Sequence, residues 1–343
     1  MATTDHSGVL PGGAALAGTA AGGDVEGGAV EARGYWENAF RRLRRDRLAI
    51  LSGVVILMFI LIAFVGAPLA VRWAGHGPND LVSGGVDNFV PVGPLSTVSD
   101  GHGGTTHLLL GASDLVGRDE FLRLLAGAQV SLEVGILSTI VGLALGLVCG
   151  LLAGFYGGLT DTVVSRLTEI VMAFPLLLFL IALGATLGDR LDKITLGGLL
   201  NPGVFTLTMV IGLFTWFYPA RIVRAQVLSL REKEFVEAAR MVGSSNFRIM
   251  RSHLLPHLVG TMIVYGTLTV AINILLESTL SFLGVGLPPP NASWGNMLDE
   301  AVQFYTIQPW LIVWPGLALL VLTLAFNLLG DGLRDALDPR ATL

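Results

Sequence analysis

The stretch EFVEAARMVGSSNFRIMRSHLLP occupies residues 234–256 and lies between two long apolar segments. Its first half, around Glu237, is rich in good helix formers, whereas Gly243 can take the positive φ that ends a helix. Either of the two serines that follow can cap a second helix. The pattern therefore predicts two short helices around a glycine turn, followed by an apolar span that begins at Pro256.

The chain as a whole is too apolar for a water-soluble protein of its size. Its 343 residues include 52% hydrophobic and only 14% charged residues, and the mean hydropathy is +0.69. Soluble domains have about 25% charged residues, and so few charges cannot cover the surface of a soluble globule. The composition excludes an ordinary cytoplasmic enzyme, a nucleic-acid-binding protein and a disordered chain.

Six segments are long and apolar enough to cross a bilayer, whose core of roughly 30 Å requires about 20 apolar residues in a helix. They cover residues 48–71, 134–160, 170–188, 195–220, 258–276 and 310–330. The fifth continues past Glu277 to Leu283, and Pro175, Pro219 and Pro315 are expected to kink three of the others. The sequence thus predicts an all-α membrane protein with six transmembrane helices.

The arginine and lysine residues indicate which side of the membrane each loop faces. With a cytoplasmic N-terminus, sixteen of the 21 basic residues lie inside, and seven of these fall within residues 221–251. The five outside are Arg72, Arg118, Arg123, Arg190 and Lys193. Because cytoplasmic loops are enriched in Arg and Lys, both termini are predicted to be cytoplasmic.

The segments outside the spans divide the chain into four parts. Residues 1–34 are rich in Gly and Ala without a hydrophobic period, which is typical of a disordered tail. Residues 35–72 combine a basic cytoplasmic segment with the first span, and residues 73–130 form an extracytoplasmic loop. Residues 131–343 form the core, with five spans and a polar inner loop at about residues 228–256.

The chain has none of the patterns expected of a catalytic or metal site. A phosphate-binding loop has the form GxxxxGK[ST], but neither Lys193 nor Lys233 follows a glycine. His253 and His257 have a metal-compatible i, i+4 spacing, but Pro256 lies between them and no carboxylate completes a ligand set. We therefore expect no catalytic residue, no metal ligand and no cofactor in this chain.

The inner loop resembles a motif of the membrane subunits of binding-protein-dependent ABC importers. The motif consists of EAA, three residues, Gly, nine residues and IxLP. The residues in register with it are Glu237, Ala238, Ala239, Gly243, Leu255 and Pro256. His253 takes the isoleucine position, as is usual in the peptide-importer branch. The resemblance favours a coupling loop over an ordinary amphipathic cytoplasmic loop.

Four further stretches resemble the C-type permease of dipeptide and oligopeptide importers. They are RRLRRDRL at 41–48, GASDLVGRD at 111–119, SFLGVG at 281–286 with SWGNML at 293–298, and NLLGDGLRDALDPR at 327–340. The second of them is one residue longer than the family pattern GTDxxGRD. The likeness covers about residues 35–342, with all the stretches in the right order.

The resemblance implies the fold of type I ABC importer permeases and a role as one half of a translocation pore. The implied partners are a homologous B-type permease, two ABC ATPase subunits, an extracytoplasmic substrate-binding protein and the lipid bilayer, with no nucleic acid. ATP and Mg would bind in the ATPase subunits rather than in this chain. The implied ATPase-coupling residues are Glu237, Ala238, Ala239, Gly243, His253 and Pro256.

Short peptides are the cargo that the resemblance favours, and the bacterial plasma membrane is the implied location. Relatives of the C-type subunit also carry nickel, haem, glutathione, opines or oligosaccharides, so another small solute is an open alternative. A proton-coupled secondary transporter needs several intramembrane acids or histidines, and only Glu277 is deeply placed. A membrane-embedded enzyme needs a nucleophile with its base or a metal set, which the chain lacks.

A row of glycines marks one face of the second span. Gly142, Gly146, Gly150 and Gly154 recur at every fourth residue. Small residues at this spacing allow a second helix to approach closely within the membrane. The face serves either static helix packing, which we favour, or sliding during gating.

Glu277 is the charge placed furthest inside a predicted span. A carboxylate within the bilayer costs roughly 2.5 kcal/mol or more, and it normally faces a cavity or a partner. With Ser278 it is the candidate for the translocation pathway. The alternative, which we favour, is a structural role in which Glu277 holds Ser278 and Ser281 in place.

Overall fold

The computed structural model describes residues 35–99, 104–191, 194–198 and 200–338, so the predicted disordered tail, 1–34, lies outside the described residues. The described chain is mainly helical. Its helices are α1 Tyr35–Leu43, α2 Arg47–Leu61, α3 Ala67–Ala74, α4 Glu120–Tyr156, α5 Gly158–Ala173, α6 Leu176–Leu191, α7 Val204–Thr215, α8 Phe217–Leu230, α9 Glu234–Met241, α10 Asn246–Arg248, α11 Leu255–Phe282, α12 Trp294–Ala301 and α13 Trp310–Leu337. Two π-helical segments, Ile62–Gly66 and Ile249–Leu254, join α2 to α3 and α10 to α11.

The extracytoplasmic loop also contains four short strands, which the sequence analysis did not predict. They are β1 Val86–Asp87, β2 Val90–Pro91, β3 Ser96–Ser99 and β4 Thr105–Leu108. β1 pairs with β2 and β3 with β4, both antiparallel, and Ser96 lies opposite Leu108. These hairpins are small additions to a helical protein.

Five helical segments among the described residues are long and apolar enough to cross a membrane. They are Arg47–Ala74, Glu120–Tyr156, Val204–Leu230, Asn246–Phe282 and Trp310–Leu337. The remaining predicted span is a helix pair, Gly158–Ala173 with Leu176–Gly188, bent by 89°. The helical membrane fold is confirmed, with six spans when the bent pair is counted as one.

The bend explains why the third span differs from its prediction over residues 170–188. Phe174 is extended, with φ −90° and ψ 141°, a conformation that the steric clash with the following proline favours over the α region. The predicted kink at Pro175 is therefore a complete break. By contrast, Pro315 lies inside the continuous α13, and Pro219 lies in the first turn of α8.

Two helix boundaries differ from the segment boundaries that the sequence predicts. Asp119 accepts hydrogen bonds from the amides of Phe121 and Leu122, so α4 begins at Glu120. It then continues without interruption to Tyr156, and the boundary placed between residues 130 and 131 falls inside this helix. The fourth span begins at Val204 rather than at residue 195, because the positive φ of Gly203 precedes the helix.

The fifth span also begins earlier than predicted. Helical backbone starts at Asn246 and continues through the π-helical segment into α11, so Pro256 does not mark its start. Pro256 lies in the first turn of α11 and has no N–H for the carbonyl one turn before it. A π-helical turn is one way in which a continuous helix accommodates such a mismatch.

α4 and α11 form the centre of the bundle. α4 packs against α7, α8 and α11, while α11 packs against α13, and α13 packs against α2. One buried cluster joins α2, α4, α11, α12 and α13, and a second joins α4 and α8 to the inner loop. The inner loop is thereby connected to the bundle through apolar side chains.

Candidate functional site

The inner loop has the predicted geometry of two helices around a glycine turn. α9 is followed by Gly243, whose φ is +81°. Ser245 then caps α10, since its hydroxyl oxygen accepts a hydrogen bond from the Arg248 amide at 3.4 Å. The loop connects the inner end of α8 to the inner end of α11.

The inner loop is anchored to the bundle by three fully buried side chains. Val236 of α9 and Ile249 and Leu254 of the π-helical segment have no exposed surface. They belong to one apolar cluster with residues of α4, α8 and α11. Because such interiors are close-packed, these contacts tie the position of α9 to the positions of α4, α8 and α11.

The other side of the inner loop is exposed and partly apolar. Met241 is 82% exposed, Val242 86% and Phe247 68%. Of the predicted coupling residues, Glu237 and Ala238 are exposed, whereas Ala239 is buried. A Cβ at Gly243 would meet no atom within 4 Å. Contiguous exposed apolar residues rimmed by charges are typical of a protein interface.

The remaining predicted coupling residues lie at the start of α11. His253 is half-buried in the π-helical segment, and Pro256 and His257 line a cavity of about 1010 Å³. Its walls come from α11 as far as Leu268 and from α1, α8 and α13. Within the described residues, no three His, Cys, Asp or Glu side chains are grouped closely enough to hold a metal ion.

The glycine row of α4 is a contact surface for α7 and α8. A Cβ at Gly146 would lie 2.6 Å from Pro219, and one at Gly150 would lie 2.5 Å from the Ala220 carbonyl oxygen. Gly142 similarly faces Thr215, and Gly154 faces Val227. The structure therefore places α8, which leads into the inner loop, directly on this row.

Polar contacts also join the α8 region to α5 and α4, and the sequence does not predict them. The Arg224 guanidinium of α8 forms an ion pair with Asp161 of α5, including an Nη2–Oδ2 distance of 2.7 Å. Arg231 donates a hydrogen bond to the Gly154 carbonyl at 3.0 Å. The sequence gives little indication of these contacts, because Arg224 and Arg231 differ in no visible way from the other basic residues of the cytoplasmic side.

Glu277 lies in a buried hydrogen-bond cluster near the outer end of α11. Its side chain has no exposed surface. Its carboxylate accepts hydrogen bonds from Ser131 of α4 at 2.7 Å, Ser281 at 2.8 Å and Ser278 at 3.3 Å. These contacts connect α4 to α11. The pathway role of Glu277 and Ser278 stays a prediction.

A second charged cluster, missed by the sequence analysis, lies on the outer side. Arg123, which is fully buried, donates to both carboxylate oxygens of Glu300 at 3.0 and 2.8 Å. Arg118 pairs with Asp114 and also with Glu300, and both arginines donate to the Pro290 carbonyl at 3.1 Å. Burial raises the pKa of Glu300 above its ordinary value, and the two arginines oppose this rise. We call these residues the outer cluster.

The predicted residues thus fall into groups at opposite ends of α11. The 21 residue steps from Pro256 to Glu277 correspond to about 32 Å of helix. The inner loop and the cavity lie at one end, and the Glu277 cluster lies at the other. α4 reaches both groups, since Ser131 donates to Glu277 and Gly154 lies against α8, so its helix-packing face lies between them.

Two family models match the chain. Residues 146–343 match the model described as "Binding-protein-dependent transport system inner membrane component". Residues 34–82 match the model described as "N-terminal TM domain of oligopeptide transport permease C". The first match contains the inner loop, α11 and α13, and the second contains α1 to α3.

Curated relatives cover almost the whole chain. The oligopeptide transport system permease protein OppC of Escherichia coli (strain K12) is 37% identical over 311 residues, 91% of this chain and 93% of the relative. The glutathione transport system permease protein GsiD of Shigella dysenteriae serotype 1 is 36% identical over 310 residues, 90% of this chain and 92% of the relative.

A solved structure of the MetNI methionine ABC transporter in inward-facing conformations is also similar. It is 18% identical, with a TM-score of 0.46, over 62% of this chain and 96% of that one. The family is established by the sequence matches. The chain belongs to the binding-protein-dependent transport system inner membrane components and is a multi-pass permease subunit of an ABC importer.

Proposed function

We propose that this permease moves short peptides into the cytoplasm together with a homologous permease, two ATPase subunits and a substrate-binding protein. The inner-loop surface around Gly243 carries this proposal. Its apolar side chains Met241, Val242 and Phe247 are exposed, while its opposite side is packed into α4, α8 and α11. It therefore has a free face for an ATPase subunit and a fixed face for the spans.

A movement of the inner loop would change the shape of the cavity. α8 and α11, which the inner loop connects, both contribute to its wall, and Gln226 donates a hydrogen bond to Thr261 between them at 2.9 Å. When ATP and Mg²⁺ bind in the ATPase subunits, closure of that pair would displace α9 and change the spacing of α8 and α11. A rigid-body movement of this kind converts nucleotide binding into alternating access.

The test compares Gly243→Asp with Gly243→Asn in the assembled and reconstituted complex. Asn readily adopts positive φ, and any side chain at this position points into open space. Both variants should therefore fold, yet both should lose peptide uptake and substrate-stimulated ATP hydrolysis because the side chain obstructs the docked ATPase subunit. Normal uptake by Gly243→Asn would show that only the backbone conformation matters and would reject the docking role.

Peptide cargo rests on the relatives that transport oligopeptides and glutathione, which is itself a small peptide. Glutathione is therefore the second candidate. The measurement is ATP-dependent uptake of a labelled dipeptide, a pentapeptide, glutathione and nickel by proteoliposomes that contain the complete complex. Uptake of nickel alone rejects peptide cargo, and uptake driven by a proton gradient without ATP rejects the importer mechanism.

Glu277 and Ser278 are proposed to border the outer part of the pathway. Glu277→Gln retains the shape of the side chain and removes its charge, so it isolates recognition of a peptide amino group. A greater loss of uptake for free peptides than for N-acetylated peptides supports this role. Equal losses for both peptide types mean that Glu277 only joins α4 to α11.

A further inference from the structure

The exposed side of the segment from α1 to the start of α2 has no role in the proposed coupling. α1 lies against the inner end of α13, where Ala39 is buried. Arg42 donates a hydrogen bond from Nη1 to the Asp338 carbonyl at 2.8 Å, immediately beyond α13. These contacts fix α1 at the cytoplasmic end of the bundle.

The start of the first span places this segment at the depth of the lipid headgroups. Asp46 caps α2 by accepting hydrogen bonds from the amides of Leu48 and Ala49 at 2.9 and 3.2 Å. The apolar run begins at Leu48, and about 20 residues fill the bilayer core. The residues just before it, Arg44 to Arg47, therefore lie at the cytoplasmic boundary of the membrane.

An exposed apolar strip continues from α1 onto the first span. Phe40 is 60% exposed, and Leu48 and Leu51 at the start of α2 are 59% and 60% exposed. The Arg44 guanidinium lies 5.2 Å from the centre of the Phe40 ring, which is a cation–π distance. A helix with aromatic and basic residues of this kind is typical of membrane interfaces.

Within the described part of the chain, three exposed arginines next to this strip have no carboxylate partner. Among the residues that the structure describes, no ion pair joins Arg44, Arg45 or Arg47 to an acid, and Glu37 instead contacts Arg41 at 3.3 Å. The carboxylate that is adjacent in sequence, on Asp46, accepts hydrogen bonds from the α2 amides. The surface therefore has three positive charges next to an apolar strip. This arrangement matches a phospholipid, whose anionic phosphate lies next to its acyl chains.

We propose that Phe40, Arg44, Arg45 and Arg47 form a binding surface for anionic phospholipids of the cytoplasmic leaflet. The arginines bind the headgroup phosphates, and Phe40 enters the boundary between headgroups and acyl chains. Continuity with the lipid-facing residues Leu48 and Leu51 favours lipid over a protein partner. The bound lipid would hold the junction of α1, α2 and α13 in place at the membrane surface.

The test is native mass spectrometry of the purified full chain with equal amounts of phosphatidylglycerol and phosphatidylcholine. The wild-type chain should retain phosphatidylglycerol preferentially. The triple variant Arg44→Gln, Arg45→Gln, Arg47→Gln should retain at least about tenfold less, because each basic residue near an anionic surface contributes favourably. Unchanged retention by this variant overturns the proposal.

A matched control separates this surface from net charge. The triple variant Arg240→Gln, Arg248→Gln, Arg251→Gln removes three exposed arginines of the inner loop, and it should retain phosphatidylglycerol like the wild type. Equal loss in the two triple variants means that overall charge attracts the lipid, and the proposal fails. Replacing Arg44, Arg45 and Arg47 with Lys should keep retention within about threefold, since lysine also binds phosphate.

The last arm uses the complete importer. If the surface binds lipid, addition of the permease partner and the ATPase subunits leaves the retained phosphatidylglycerol in place. If the complete complex retains no more of it than the triple Gln variant, the surface is covered by protein and the proposal is wrong. Lipid retention is measured without transport, so a negative result for the lipid-binding surface is distinct from a negative result for the proposed coupling role.

Discussion

The outer cluster and the inner loop both lie at a membrane boundary, but they differ in where their side chains find partners. In the outer cluster, Arg118 and Arg123 share Glu300 and the Pro290 carbonyl, so their partners all lie within the chain. In the inner loop, Glu237 is exposed and the apolar Met241 and Val242 are more than 80% exposed. The outer cluster is therefore held by contacts within the chain, whereas the inner loop exposes a surface that a partner protein could cover.

The difference shows which end of the permease is stabilised internally and which end depends on a partner. A buried charge is tolerated only when it is paired and hydrogen-bonded, which favours a fixed arrangement. An exposed apolar patch is covered only on binding, so its stabilisation varies with the partner. The contacts that hold the outer cluster therefore lie within the chain, whereas the inner loop is suited to respond to another subunit.

Removing a charge should produce the largest contrast between the two regions. Arg123→Met removes a fully buried guanidinium and leaves the partly buried Glu300 carboxylate with Arg118 as its remaining partner, which should destabilise the chain by about 3 kcal/mol. Arg240→Met on the inner loop removes only a cation–π contact with Phe155 at 5.7 Å and should cost about 1 kcal/mol or less. Denaturant or thermal unfolding of the purified chains measures both. Equal losses would remove the distinction between the two ends.

A smaller effect is expected where α4 connects the two regions. Gly150→Ala adds a Cβ that would lie 2.5 Å from the Ala220 carbonyl oxygen and 2.7 Å from Val223. Overpacking of this kind costs about 1–3 kcal/mol. The control is Gly316→Ala in α13, where a Cβ meets nothing within 4 Å, and it should be neutral or slightly stabilising. The same thermal scan compares them, and an unchanged Gly150→Ala chain would refute tight packing of α4 on α8.

The smallest effect on the isolated chain should come from the exposed residues of the inner loop. The double variant Met241→Ser, Val242→Ser should change unfolding stability by less than about 0.5 kcal/mol. It should nevertheless weaken co-purification of the ATPase subunits about tenfold, as expected when interface anchors are removed. Phe89→Ser changes an 87% exposed residue of the extracytoplasmic loop and should leave ATPase binding intact. Intact binding by the double variant would contradict the interface assignment.

Local patterns predicted much of the inner loop, because its determinants lie within a few residues of each other. The positive φ of Gly243 and the cap at Ser245 follow from local backbone preferences. The sequence predicts a kink at Pro175 but not its size. Proline disfavours some backbone conformations, and several bend angles are compatible with those that remain. The start of α11 was misplaced for a related reason, because Pro256 is compatible with a helix that reaches it through a π-helical turn.

Long-range charge pairs were not predicted from sequence. Arg123 and Glu300 are separated by 177 residues, and Arg224 and Asp161 by 63. Each residue, taken alone, has the appearance of an ordinary loop or boundary charge. The one motif near the outer cluster is the stretch at 111–119, which ends in Arg118 and Asp119. It does not indicate that Arg118 contacts Glu300 or the Pro290 carbonyl.

The sequence by itself determined that the chain crosses a membrane, which side its loops face, and which family it belongs to. These properties depend on composition, on the length of apolar runs and on short motifs, all of which are additive along the chain. The tertiary structure alone decided that Glu277 is surrounded by serines, that the glycine row of α4 receives α8, and that two arginines share Glu300. Those properties depend on which distant side chains meet, and burial favours arrangements in which charged groups are paired or hydrogen-bonded.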